Sequence, residues 1–91
     1  MAMAQLLEFR GGTAEQYHAL HQEVAPDGRL AAGALFHVGG PIEGGWRVVN
    51  IWESEEAAQT FFRERLMPLL QTSGLQPPVS QSWWPVDNVM T

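Results

Sequence analysis

Three side chains combine an ability to take, hold or orient a proton with positions that strand geometry can bring together: Glu8, His37 and Asn50. His37 beside a carboxylate has the makings of a general base, and Asn50 has the donor and acceptor needed to hold a substrate carbonyl or a dioxygen-derived group. The plainer reading is that the three satisfy one another in a half-buried interface, since buried polar clusters form structural networks at least as often as catalytic ones. Around them the sequence places many large aromatic groups: Trp46 and Trp52 on one side of an alternating segment, with Val48 between them, and the pair Trp83-Trp84 near the end of the chain.

Other chemistries are excluded by what is missing. There is no Cys and no Lys, which removes disulfides, thiolate metal ligands, cysteine nucleophiles, lysine Schiff bases and the phosphate-loop lysine together. His18 and His21 are three apart on a helical segment, but only Glu15 and Gln22 stand near them. The sequence thus supplies no set of metal ligands, and these histidines are expected to face solvent. The segment GGPIEGG (39–45) precedes a strand and lacks a Lys-Ser/Thr ending, so it reads as turn geometry. Arg63 and Arg65 beside Glu64 read as a solvated face. The net charge is −5 and the five arginines are scattered, so the counterion release that drives binding to nucleic acid or to anionic membranes is missing. No cofactor is implied.

The elements that position these residues follow from periodicity and punctuation. Ninety-one residues are expected to form one domain, 1–91, with a single core. No apolar run approaches the roughly 18 residues of a membrane span. The start, MAMAQLLEFR, lacks a basic region and reaches Glu8 and Arg10 too early for a signal peptide, so a cytoplasmic location is expected. AQLLEF (4–9) reads as a strand. Thr13-Ala14-Glu15-Gln16 is a capping box that opens a helix with Tyr17, Leu20 and Val24 on its apolar stripe, and Pro26-Asp27-Gly28 ends it. A second strand spans 33–38, and the glycine-rich link leads to a third, GWRVVNIWES (45–54). Ser54 caps a second helix, whose stripe runs Ala58, Phe61, Phe62, Leu66, Leu69 and Leu70. Pro68 predicts a break or kink near Leu66–Met67, with the helix resuming to Gly74. A last extended segment covers 79–86.

The order βαββαβ is the ferredoxin-like split arrangement, an α+β fold in which both helices cover one face of an antiparallel sheet and leave the other bare. Alternation in the third strand puts Val49 and Ile51 on one face and Trp46, Val48, Asn50 and Trp52 on the other. Packing Val49 and Ile51 under the helices leaves the tryptophans on the bare face, where an apolar patch marks an interface or a ligand groove. Matching Phe36 and Val38 to Val49 and Ile51 then places Leu35 and His37 with Val48 and Asn50. Helix-facing Leu7 and Phe9 put Ala4, Leu6 and Glu8 on the bare side as well. One of Trp83 and Trp84 is expected to reinforce the tryptophan-lined side, the two splitting across their strand.

The piece WRVVNIWESEEAAQTFFRERLMPLL, most specifically W-E-S-E-E-A followed by Phe61 or Phe62, resembles the dimeric α+β barrel superfamily. It is similar to small bacterial proteins related to the antibiotic-biosynthesis monooxygenases. The resemblance implies a homodimer whose sheets pack face to face, with a ligand cavity inside the barrel or between sheet and helices. Some relatives oxygenate polyketide-like aromatic compounds without metal or flavin. Others cleave haem through an Asn on the first strand and a His on the second helix; here the first strand offers Glu8 and Leu6, and the second helix has no His. Two functions are therefore carried forward. One is a homodimer that binds a small apolar or aromatic molecule, with cofactor-independent monooxygenase-like chemistry at His37, Asn50 and Glu8 and a wall of Trp46, Val48, Trp52, Trp83 or Trp84. The other is a non-catalytic interaction module whose bare face serves dimerisation alone.

Overall fold

A computed structural model describes residues 1–73, 78 and 80–90. The order is β1 (Met3–Arg10), α1 (Ala14–Val24), β2 (Ala34–Ile42), β3 (Gly45–Trp52), α2 (Glu55–Phe61), a π-helical turn (Phe62–Leu66), α3 (Met67–Ser73) and β4 (Ser80–Pro85). The described strands form an antiparallel four-stranded sheet in the order β2-β3-β1-β4. This is the expected ferredoxin-like α+β fold. No helix among the described residues is long and apolar enough to cross a membrane.

Local chemistry sets the element ends. Thr13 and Gln16 form the capping box in both directions: Gln16 N–H donates to Thr13 Oγ1 at 3.1 Å, and Thr13 N–H donates to Gln16 Oε1 at 3.2 Å. Ser54 Oγ accepts from Ala57 N–H at 3.1 Å, capping α2. Each cap satisfies backbone donors that the first helical turn leaves open. Gly39-Gly40-Pro41-Ile42 belong to β2 and not to a loop, so the hairpin turn contracts to Glu43-Gly44, with Gly44 at φ 79°.

Pro68 does not break the second helix. It lacks an N–H for the carbonyl of Glu64, and the chain absorbs the mismatch in the turn before it, where Met67 N–H donates to Phe62 O in a five-residue step. The helix then continues as α3. The expected end at Gly74, like the start of the last segment at Val79, lies outside the described residues.

On β2 and β3 the two faces are the reverse of the expected assignment, while on β1 Leu7 and Phe9 face the helices as expected. Leu7, Phe9, Trp46 and Val48 form the buried cluster, and Tyr17 and Leu20 of α1 and Leu70 of α3 pack on it. Trp52 meets Phe61 of α2 with ring centroids 5.3 Å apart. Trp46, Val48, Asn50 and Trp52 therefore face the helices, and Val49 and Ile51 face the bare side. The register explains why: Leu7 stands opposite Val48 and Phe9 opposite Trp46, so all four share one face. Burying rings here removes more apolar area from water than burying Val49 and Ile51 would. The bare face carries Phe36, Val38, Val49, Ile51, Leu6 and Trp84 by the same pairings. Val38 and Trp84 keep 48 % and 44 % of their surface exposed, so the helices leave this face open.

Candidate functional site

His37 shares a face with Asn50, as expected, and the register sets the two directly opposite each other, but on the helix-covered face. The expected grouping with Glu8 fails. Glu8 points to the other side, where Arg47 stands opposite it and donates from Nε at 2.9 Å and from Nη2 at 2.5 Å to Glu8 Oε2. The place of a partner on β1 is taken by Gln5, which shares the parity of Leu7 and Phe9 and stands opposite Asn50.

Gln5, buried among these groups, fixes the polarity of a five-residue chain. An indole nitrogen can only donate, so Trp52 Nε1–H donates to Gln5 Oε1 at 3.0 Å. The same oxygen accepts from Asn50 Nδ2 at 3.2 Å. Gln5 Nε2 is thereby turned outward, where it donates to Gln81 Oε1 at 3.1 Å. Asn50 must then present Oδ1 to His37 Nδ1, 2.6 Å away, and only a protonated Nδ1 can donate to it. In the neutral imidazole that leaves Nε2 with its lone pair. The Tyr17 hydroxyl, 2.5 Å from Nε2, is the donor that fills it. Burial raises the Tyr17 pKa above its ordinary 10.0, so the phenol holds its proton near neutral pH.

Tyr17 reaches His37 because Gly39 leaves room. A Cβ at position 39 would sit 2.9 Å from Cε1, Cζ and Oη of the tyrosine, and the two rings lie stacked with centroids 5.9 Å apart. A cavity of about 270 Å3 opens between the sheet and α1, just below the ~300–1,000 Å3 of typical ligand pockets. Its wall includes Trp46, Val48 and Trp52, with Tyr17, His37 and Asn50 as polar groups. Phe61 and Leu66 close it from the second helix. Trp83 and Trp84 are not among the described residues that line it; Trp83 pairs with Gln5, and Trp84 pairs with Ala4 on the bare face. Trp46 Nε1 is buried without a hydrogen-bond partner among the described residues, and it is closed to solvent as well. Among the described residues, no group of three or more His, Cys, Asp or Glu side chains is placed to hold a metal ion.

No family model matches the chain, and no curated protein matches it by sequence. Solved structures do resemble it. A candidate antibiotic biosynthesis monooxygenase from Chloroflexus aurantiacus superposes with a TM-score of 0.70 at 12 % identity, covering 99 % of this chain and 98 % of that one. SnoaB, a cofactor-independent oxygenase from Streptomyces nogalater, gives 0.65 at 9 %, with 98 % and 95 % covered. The ActVA-Orf6 monooxygenase of Streptomyces coelicolor, in complex with nanaomycin D, gives 0.60 at 20 %, with 99 % and 91 % covered. The chain shares their fold. The resemblance of WESEEA and its flanks to this group is thus matched at the level of architecture, while the site rests on the residues of this chain.

The sequence reading missed Gln5, Tyr17 and His21. Gln5 carried a signal, being the polar member of a strand parity otherwise held by Leu7 and Phe9. Tyr17 was assigned to an apolar stripe although a buried phenol needs a hydrogen-bond partner. His21, expected in solvent, is half-buried and lines the cavity; His18 is exposed, as expected.

Proposed function

We propose that the cavity binds a small aromatic molecule and that the Tyr17–His37–Asn50 chain removes a proton from it, preparing it for direct reaction with dioxygen. The observation that carries this reading is the His37 ring held between Asn50 Oδ1 at Nδ1 and the Tyr17 hydroxyl at Nε2, beside an apolar cavity. In the step proposed, an acidic C–H or O–H of the ligand gives its proton to the Tyr17 oxygen as the phenolic proton passes to Nε2. The imidazolium that forms keeps its Nδ1–H bond to Asn50 Oδ1. The electron-rich carbanion then meets dioxygen. Where the reacting carbon is a methylene, both of its C–H bonds give way to a carbonyl; one oxygen atom of dioxygen stays on the carbon and the other leaves with both hydrogens as water. The carbon is oxidised and dioxygen is reduced, so no further reductant is needed. The fold shared with a cofactor-independent oxygenase supports the reading.

The protein works as a homodimer through its bare face. Phe36, Val38, Val49, Ile51, Leu6 and Trp84 make an apolar surface that a second copy of the chain covers. This surface lies across the sheet from the cavity, so dimerisation does not consume the ligand site, as a purely structural module would require. The test is oxygen uptake with an anthrone, whose methylene is the reacting group. Wild type should accelerate uptake over buffer, and His37→Gln should bind the anthrone by tryptophan quenching yet lose the acceleration. Uptake no faster than in buffer, or a fully active His37→Gln, would refute the proposal.

A further inference from the structure

His21 and Arg29 line the cavity but take no part in the chain from Trp52 to Tyr17. His21 follows Tyr17 by one helical turn, and its ring centroid lies 5.7 Å from those of both Tyr17 and His37, completing a nearly equilateral triangle. Its ring nitrogens accept and donate nothing to the described residues. Arg29, in the connection between α1 and β2, lines the same cavity. Its nearest carboxylate is Asp27, at 3.8 Å, and both side chains are largely exposed, a loose pair screened by solvent.

The charge of the wall differs from that of the chain. The protein carries ten acidic residues and a net charge of −5, yet no Asp or Glu is among the described residues that line the cavity. A carboxylate entering an apolar cavity loses hydration that it recovers only from donors and opposite charge. An imidazole N–H and a guanidinium fork supply those two things.

The geometry points to an anionic ligand: an aromatic carboxylate, with its ring system against Trp46 and Val48 and its carboxylate served by His21 and Arg29. This rests on the reading that the cavity is a ligand site, and it adds the charge that the ligand bears. Wall, donor and cation then divide the work. The apolar surface holds the ring, His37 and Tyr17 hold the proton, and His21 with Arg29 hold the anion.

Calorimetric titration with 2-naphthoate and with 2-acetylnaphthalene, its neutral isostere, tests the charge separately from the cavity. Naphthoate should bind about tenfold more tightly than the ketone, because charge-assisted hydrogen bonds are about twice as strong as neutral ones. Arg29→Gln and His21→Phe should each weaken naphthoate about fivefold and change the ketone less than about twofold, with Arg29→Lys restoring part of the naphthoate affinity, because the charge is kept and the fork is lost. Equal affinity for the two probes, or variants that weaken both alike, would overturn the anion preference and leave the cavity reading standing. Binding of neither probe would overturn both.

Discussion

Trp46 and Trp52 offer a matched pair of substitutions in which only the fate of one N–H differs. Both rings are buried, 7 % and 3 % exposed, so replacing either by Phe removes similar volume. Trp52 Nε1 donates to Gln5 Oε1, whereas Trp46 Nε1 is buried with no partner among the described residues. Losing the first bond costs about 1 kcal/mol net, while removing an unmet buried donor removes a penalty of about 1–3 kcal/mol. Trp52→Phe should therefore be less stable than Trp46→Phe by about 2–4 kcal/mol. For a chain of this size that separates the melting temperatures by roughly 10–20 °C. Thermal and urea unfolding followed by circular dichroism, at one fixed protein concentration because assembly adds stability, measure the difference. A second readout tests the polarity argument itself: long-range proton–nitrogen spectra of His37 should show Nδ1 protonated in wild type and in Trp46→Phe. In Trp52→Phe, the Gln5 and Asn50 amides are free to turn over and the other tautomer becomes accessible. A Trp46→Phe variant as unstable as Trp52→Phe, or a wild-type His37 carrying its proton on Nε2, would refute the reasoning.

Tyr17 is the chain's single tyrosine, so tyrosinate absorbance reports it alone. Its midpoint should lie above 10.0, and because the folded pKa is raised, its contribution to stability is whole below pH 10.0 and lost as pH rises through the folded value. Tyr17→Phe should flatten that alkaline loss, and a midpoint at or below 10.0 would contradict the burial of the phenol. Gly39→Ala should push the Tyr17 ring off His37, lowering the tyrosinate midpoint and costing about 1–3 kcal/mol for the overpacking. Gly40→Ala, where a Cβ meets nothing within 4 Å, should be silent, and equal effects at 39 and 40 would count against the close approach. Val38→Glu should yield a folded monomer by sedimentation, since a charge then sits on the apolar bare face, at a position that is exposed without a partner copy. A persistent dimer would move the interface elsewhere.

Much of the fold was legible because its signals are local. The capping box at Thr13–Gln16, the Ser54 cap and the alternation in β3 each state their own element, and polarity alone put His37 on the face of Asn50 across the hairpin. The orientation of the sheet was not legible in the same way. Alternation separates two faces without saying which one the helices cover, and in GWRVVNIWES both are apolar. Leu7 and Phe9 were already assigned to the helices; what was missing was their register against Val48 and Trp46, a long-range fact that no single segment contains. Glu8 entered the candidate site through that error, and Gln5 was left out of it by the same one. The glycines at 39 and 40 misled for a different reason. Glycine marks turns, but in a strand it also marks a close approach by another group, and at Gly39 that group is Tyr17, whereas Gly40 has open space.

The π-helical turn at Phe62–Leu66 does more than step around Pro68. An α-helix advances about 100° per residue, so a turn that holds one extra residue rotates everything after it by about that angle relative to an uninterrupted helix. The second helix is thus keyed in two phases. Phe61 and Leu66 are set against the cavity, and Leu70 is set against the cluster of Leu7, Phe9, Trp46 and Val48. Deleting one residue from the turn would swing Leu70 away from that cluster and bring back the clash of Pro68 with the preceding turn, leaving the cavity wall at Phe61 where it was. The offset lets the cavity-facing end of the helix vary in sequence without retuning the end that holds the sheet.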